Sequence, residues 1–318
     1  MSRSDLHPAP VRRSWEAVCS RRHALSLALA SWGAVPSWAA PDAPQPVRLA
    51  ISESVIGDVN LNDARAAMMV WVQRMTRQLN VIVEPKLFDS TQEIVERTRK
   101  GQLDAVALNV VEYRLIADML DSTQVVTASG EAGMEQYLIL ARQNSGFRQL
   151  GDLKGRHLCA LKTPKMCVAP AWLTTILAEY HYGAAEQFFG SVTTDAKYSR
   201  VVLPVFFGQA DACLTSRRGF DTMCELNPQV ARELAVLATS PTVVVNFYMF
   251  RKNYQNAQRE KLIGALSSLR NSPAGQQLAT LFQFDQLAIR DGSCLASALN
   301  ILEMADRVHS RSAGHKKV

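Results

Sequence analysis

The chain has 318 residues, more than one compact domain needs and enough for two sizeable cores. Its formal charge is +6, but five arginines against two acidic residues within 1–39 carry +3 of that, leaving +3 for the rest. So small a surplus, with no Lys/Arg stripe interleaved with aromatics, argues against nucleic acid as a partner.

The first elements in the chain read as an address. Arg12, Arg13, Arg21 and Arg22 precede the apolar stretch ALSLALASWGAV, and PSWAA then supplies small residues at cleavage spacing. An export signal over 1–39, removed after Ala39, is expected. The stretch is short and interrupted by Ser and Gly, which weighs against a retained membrane anchor. SRRHAL also carries the paired arginines of a twin-arginine signal, so general secretion and twin-arginine export both stay open. Either route makes the mature chain periplasmic. Export permits disulfides, and Cys159, Cys167, Cys213, Cys224 and Cys294 remain after cleavage. An odd number leaves at least one unpaired. The spacings 159/167 and 213/224 would each close a small loop, whereas Cys159 and Cys213, inside apolar strand-like runs, read as buried thiols. No CxxC or Cys/His ligand spacing is present, so neither a metal nor another cofactor is expected.

Beyond the leader the hydrophobic period switches repeatedly between two and about 3.6. VRLAIS (47–52) reads as a strand. NDARAAMMVWVQRMTRQLN follows as a helix with Ala64, Met68, Trp71, Val72, Met75 and Leu79 on one face and Asn62 or Asp63 as its cap. VIVEPKLF is a second strand. Ser90 with Glu93 gives a capping-box pattern at the start of STQEIVERTRKG, where Gly101 suits the stop, and LDAVALN is a buried third strand. This alternation demands parallel pairing with right-handed crossovers.

A second unit begins near EQYLILARQNSG, with RHLCALK as a strand and APAWLTTILAEYHYG as a helix ending at Gly183. SRVVLPVFFG is helical in period despite Pro204, ADACLTS is a strand, RRGFDTMCEL and NPQVARELA are helices, and LAVLATS alternates as a strand does. VVVNFYMFR is extended and apolar throughout. Two extended segments, 135–143 and 243–251, thus bracket the unit. The economical topology is a discontinuous lobe 1 (41–135 with 250–318) and an inserted lobe 2 (136–249) between two crossover strands. A linear arrangement would leave the helices QREKLIGALSSLRN and AGQQLATLFQF without a sheet to cover. The tail HSRSAGHKKV reads as a mobile basic end.

At this point the chain resembles a known family. An exported pair of α/β lobes, a double crossover, and the segments SESVIGDVNLNDARAAM, GQLDAVALNVVEY, DLKGRHLCAL and VFFGQADACLTS, in that order, look like the periplasmic solute-binding proteins of ABC transporters, in the phosphate/phosphite/phosphonate-binding group. The resemblance covers nearly all of the mature chain. It implies a type II periplasmic-binding fold in which each lobe is a mostly parallel sheet flanked by helices. It also implies a small anionic solute held between the lobes, a membrane ABC permease as partner, and a monomer.

Open parallel sheets bind small molecules at the carboxyl ends of their strands, where helix N-termini favour an oxyanion. The expected ligand contacts are therefore Ser52 and Ser54 after the first strand and Asn109 and Tyr113, beside Glu112, after the third. Lys162, Thr163 and Lys165 follow the first strand of lobe 2, and Ser216, Arg217 and Arg218 follow ADACLTS. Four of them have a structural alternative: a helix cap for Ser52, core filling for Tyr113, and a solvated helix start or surface ion pair for either arginine. In the resembled family the 162–165 loop usually carries a Ser-Thr-Ser-Gly run that grips the phosphonate. Here LKTPKMCVAP keeps one hydroxyl, Thr163, loses a donor at Pro164 and adds two lysines, which leaves the identity of the anion open.

Two other roles fit the same architecture. One is an input module for a membrane sensor kinase, which the sequence does not separate from transport. The other is an enzyme, for which support is thin. His157, His181, His309 and His315 have no partners at catalytic spacing, and Gly-x-Ser-x-Gly, Walker-type and dinucleotide fingerprints are absent. Cys167, near Lys165, is the one conceivable nucleophile, and no catalytic residue is expected.

Overall fold

The computed structural model describes residues 45–315 except Asp58, all within one compact unit. The expected leader over 1–39 lies outside the described residues. VRLAIS, apolar at most positions, forms β1 (Val47–Ser52), buried along nearly its whole length as an interior parallel strand must be. α1 (Leu61–Leu79) follows. Its cap is Asn60, whose Oδ1 accepts from the N–H groups of Asn62 and Asp63, so the helix starts earlier than a cap at either of those residues would allow. Ala64, Trp71, Val72 and Met75 are buried, while Leu79 at the frayed end is exposed. β2 (Val83–Phe88) pairs parallel with β1 at the sheet edge, where Pro85 costs no interior ladder bond. α2 (Thr91–Arg99) is capped by Ser90, whose Oγ accepts from the Glu93 N–H, and Gly101, at φ +66°, follows it. β3 (Ala105–Asn109) then pairs with the other edge of β1.

α3 (Val110–Tyr113) is a single turn, and β4 (Val125–Ala128) leads to β5 (Tyr137–Arg142). Next come β6 (His157–Leu161), α4 (Ala169–Glu179), α5 (Ala185–Phe188), β7 (Ser191–Asp195) and α6 (Tyr198–Phe206). β8 (Ala212–Ser216), α7 (Arg217–Leu226), α8 (Pro228–Glu233), β9 (Leu234–Thr239) and β10 (Asn246–Phe250) follow. The chain closes with α9 (Ala257–Ser267), α10 (Pro273–Leu281), β11 (Leu287–Arg290) and α11 (Ala296–His315). α4 stops at Glu179, short of the expected Gly183, because His181 already turns left-handed at φ +58°. The basic tail differs from expectation as well: residues 309–315 continue α11.

The strands make two sheets, one ordered β11-β4-β10-β3-β1-β2 and one ordered β7-β6-β8-β5-β9. The chain passes from the first to the second after β4 and returns after β9. These two passages are tied to each other: the Glu135 N–H donates to the Val243 carbonyl and the Val243 N–H to the Glu135 carbonyl, both at 2.8 Å. Beneath them β5 is wholly buried from Tyr137 to Ala141.

Both lobes use one local device, visible as paired segments GQLDAVALN (101–109) and GQADACLTS (208–216). Each begins with a left-handed glycine, Gly101 or Gly208 at φ +73°. Each aspartate then accepts the backbone N–H that starts the neighbouring strand: Arg48 N–H to Asp104 Oδ2 at 3.0 Å, His157 N–H to Asp211 Oδ2 at 2.8 Å. Each strand ends on the residue that caps the next helix, Asn109 or Ser216. A shared start and a shared end bring the strand termini of each sheet out at one level. Gly208→Ala is expected to cost roughly 1 kcal/mol, since an L side chain resists that φ and the new Cβ would sit 3.2 Å from the Arg142 guanidinium. Gly264→Ala, exposed within α9 with nothing near its Cβ, should stabilise by up to about 1 kcal/mol. Denaturant midpoints of the two variants check the opposite signs.

Candidate functional site

At the strand ends of the first sheet the expected ligand residues Ser52, Ser54 and Asn109 do converge, but on a side chain of the protein itself. The buried Glu112 carboxylate accepts from the Ser52 hydroxyl at 2.6 Å, the Ser54 hydroxyl at 2.8 Å, the Thr91 hydroxyl at 2.9 Å and the Asn109 N–H at 3.0 Å. The Asn109 side chain returns the favour as a helix cap, accepting from the Val111 and Glu112 N–H groups at 2.9 Å each. Ser52 also caps the short turn at 53–55 through the Ser54 N–H. These donors therefore already hold an anion, an internal one. Tyr113 points instead into the core, 7% exposed and edge-on to Phe247 at 5.4 Å, and burial pushes its hydroxyl pKa up.

On the second sheet the residues divide differently. Ser216 is buried; its Oγ accepts from the Gly219 N–H at 3.2 Å and lies 3.1 Å from the Tyr198 hydroxyl. Arg217 is engaged with the crossover, its Nε donating to Gln136 Oε1 at 2.6 Å and its backbone N–H to the Gln136 carbonyl at 2.7 Å. Lys162 is exposed and outside the cleft lining. Thr163, Lys165 and Arg218 are brought together: they line one wall of a cavity of about 490 Å3, alongside Tyr198, Gly219 and Thr222. Ile56, Val59, Phe282 and Gln283 of the first lobe form the facing wall.

The electrostatics of this cleft turn on Glu135 at the paired crossovers. It is 3% exposed, and Lys165 Nζ lies 3.7 Å from its Oε1. Burial raises the Glu135 pKa, while the charges of Lys165 and Arg218 pull it back. Lys165 and Arg218 against Glu135 leave this group net positive, and of the three only the two cations line the cleft, the balance an oxyanion needs. Glu135 was not among the expected contacts. Its position at the first residue of the extended segment 135–143 is the one signal the sequence offers.

The thiols do not rescue the enzymatic alternative. Burial pushes the Cys167 pKa up to about 12, so a thiolate there is scarce at neutral pH, and the nearby Lys165 faces Glu135. The five cysteines among the described residues are free, so neither 159/167 nor 213/224 is joined. Among the described residues no group of three or more His, Cys, Asp or Glu could hold a metal ion. Nor is any helix there long and apolar enough to cross a membrane.

Two α/β lobes, two tied crossovers and a cleft between strand ends define a type II periplasmic-binding fold. The chain matches the family model of the phosphonate periplasmic substrate-binding proteins of ABC transporters over residues 55–292, and it belongs to that family. Its members bind a solute rather than transform one, and the family is periplasmic, which implies export. Similar solved structures include XAC2383 from Xanthomonas citri bound to ATP, at 15% identity and TM-score 0.60, covering 83% of this chain and 98% of that one. PhnD1 from Prochlorococcus marinus in complex with methylphosphonate is similar at 12% identity and TM-score 0.55, covering 84% and 99%. A binding-protein component of an ABC phosphonate transporter from Pseudomonas aeruginosa stands at 14% and 0.50, covering 86% and 100%. At these identities the likeness is one of fold. No curated protein sequence matches the chain.

Proposed function

We propose that the protein captures a small phosphonate-like oxyanion in the cleft, through Thr163, Lys165 and Arg218, and delivers it to a membrane ABC permease. The supporting observation is the convergence of Lys165 and Arg218 on a cleft lined by no carboxylate among the described residues, with the buried Glu135 behind Lys165. In this reading the lobe built on the first sheet, which includes β10, and the lobe built on the second sheet close about the paired Glu135 and Val243 backbones, as hinged clamps do. Ser52, Ser54 and Asn109 hold Glu112 in place, Ser216 and Arg217 fix the start of α7, Tyr113 fills the core, and Lys162 adds long-range attraction. The chain acts as an exported monomer in the periplasm.

Thermal denaturation of the mature chain with methylphosphonate, phosphate, phosphite and sulfate tests the reading. A ligand at a hundred times its Kd stabilises by about 2.7 kcal/mol, a shift of several degrees. Lys165→Ala and Arg218→Ala should each weaken binding about tenfold or more, the worth of one charge-assisted hydrogen bond. Lys162→Ala should change it little. Indifference of the wild-type chain to every anion in the panel defeats the proposal.

A further inference from the structure

Inside lobe 1 lies a second cavity of about 270 Å3 whose lining is almost wholly apolar. It runs between one face of the sheet, with Leu49, Ile51 and Ala107 exposed to it, and the helices opposite, which contribute Met68, Trp71 and Leu278. Protein interiors are packed at crystal-like density, with few voids larger than a water molecule, so an apolar space of this size is unusual in a core. Two of its lining residues carry buried polar atoms with no hydrogen-bond partner, Asn246 Oδ1 and the Tyr248 hydroxyl. Small-molecule sites share this pattern of apolar walls and a few placed polar groups. The cavity also meets the cleft: Ile56, Gly57, Lys165 and Phe282 line both. At that junction the apolar space ends beside Lys165 and the buried Glu135 carboxylate that faces it, so an anionic head belongs on the cleft side of Lys165, toward Arg218.

We infer that the solute is an amphiphilic organic anion, its oxyanion head at Lys165 and Arg218 in the cleft and an apolar arm inserted into the lobe 1 cavity. The inference rests on the binding function proposed above and narrows its substrate class from small phosphonate-like oxyanions to those that carry an extended apolar substituent. At ~30 Å3 for each water-sized group, the space of about 270 Å3 accepts a chain of about nine heavy atoms. A bare inorganic anion would leave the apolar walls without a partner. An arm carrying a hydroxyl or amide would also reach the unpaired atoms of Asn246 and Tyr248.

The test is calorimetric titration of the mature chain with n-alkylphosphonates from methyl to decyl, with 1-hexanol as a headless control. Affinity is expected to rise roughly fourfold per methylene, then level off once the chain outgrows the cavity. A cavity-filling Ala107→Leu variant should abolish the dependence on chain length and leave methylphosphonate binding unchanged. Ala128→Leu, at another point of the lining, serves if the first variant does not fold. In a Trp172→Phe background Trp71, on the cavity wall, should change its emission with hexylphosphonate and not with methylphosphonate. If methylphosphonate binds and longer chains bind no more tightly, the inference is overturned while the function stands. If no phosphonate of any length binds, the inference is overturned, and the function falls with it when phosphate, phosphite and sulfate do not bind either. If hexanol binds as tightly as hexylphosphonate, the cavity is an apolar site unconnected with the anion, and the inference is again overturned.

Discussion

Arg259→Ala is expected to destabilise the protein by about 3–5 kcal/mol, the usual consequence of breaking a buried ion pair by removing one partner. The Arg259 side chain is 2% exposed at the start of α9. Its Nη2 donates to Asp121 Oδ2 at 2.7 Å and to Gln124 Oε1 at 2.6 Å, and its guanidinium lies over the Phe250 ring at 5.1 Å. One cation thus ties α9, β10 and the approach to β4 together. Asp121→Ala should be at least as damaging, because it leaves the buried guanidinium without its counter-charge. Arg259→Lys should recover little, since an ammonium cannot span both acceptors as the planar fork does. Chemical denaturation at neutral pH, comparing midpoints at constant slope, checks all three.

The same pair carries a pH dependence. Burial pushes the Asp121 pKa up, but hydrogen bonds from Thr123 and Arg259 outweigh it and bring the group down to about 2 from an ordinary 3.8. A depressed carboxylate contributes stability that is fully present above its unfolded pKa and is lost as pH falls through the folded one. Wild-type stability should therefore decline between about pH 4 and pH 2 in part through this group, and Asp121→Asn should lack that part of the decline.

Nothing in AQREKLIG distinguishes Arg259 from the solvated charges around it, because its partners come from about 135 residues earlier in the chain. The local devices were legible. β1, β3, β6 and β8 announce themselves as apolar runs bounded by polar caps, and Ser90 caps its helix as its spacing predicts. The double crossover followed from two long extended segments, and the structure ties those passages together at Glu135 and Val243. β7 escaped notice because SVTTD is an exposed edge strand with no apolar alternation, and β4 and β11, four residues each, are too short to show a period. At the cleft, strand-end reasoning names residues at the strand ends but does not say which side chains face each other. Ser52 and Glu112 are sixty residues apart and touch. Arg217 and Arg218 are adjacent, yet a helix turns them about 100° apart, one toward Gln136 and one toward the cleft.

Removal of the Glu112 carboxylate is the second large effect to expect. Glu112→Ala strands the hydroxyls of Ser52, Ser54 and Thr91 and the Asn109 N–H, and each buried donor left without a partner costs about 1–3 kcal/mol. Some of the hydroxyls can turn toward one another, as the 2.9 Å approach of Ser52 to Ser54 allows, so a total of roughly 3 kcal/mol is expected rather than the full sum. Glu112→Gln should lose far less. Its amide oxygen can face Ser54 and the Asn109 N–H, which cannot reverse its role, while its NH2 meets Ser52 and Thr91, whose hydroxyls can accept. The alanine variant also vacates a set of donors already arranged around a carboxylate. Acetate or formate should therefore restore stability to Glu112→Ala, by about 1.4 kcal/mol at ten times its Kd, and leave the wild-type protein unmoved. Thermal melts across an acetate series at fixed ionic strength read this directly. Equal responses in the two proteins would mean that these donors, once emptied, do not form an anion cradle.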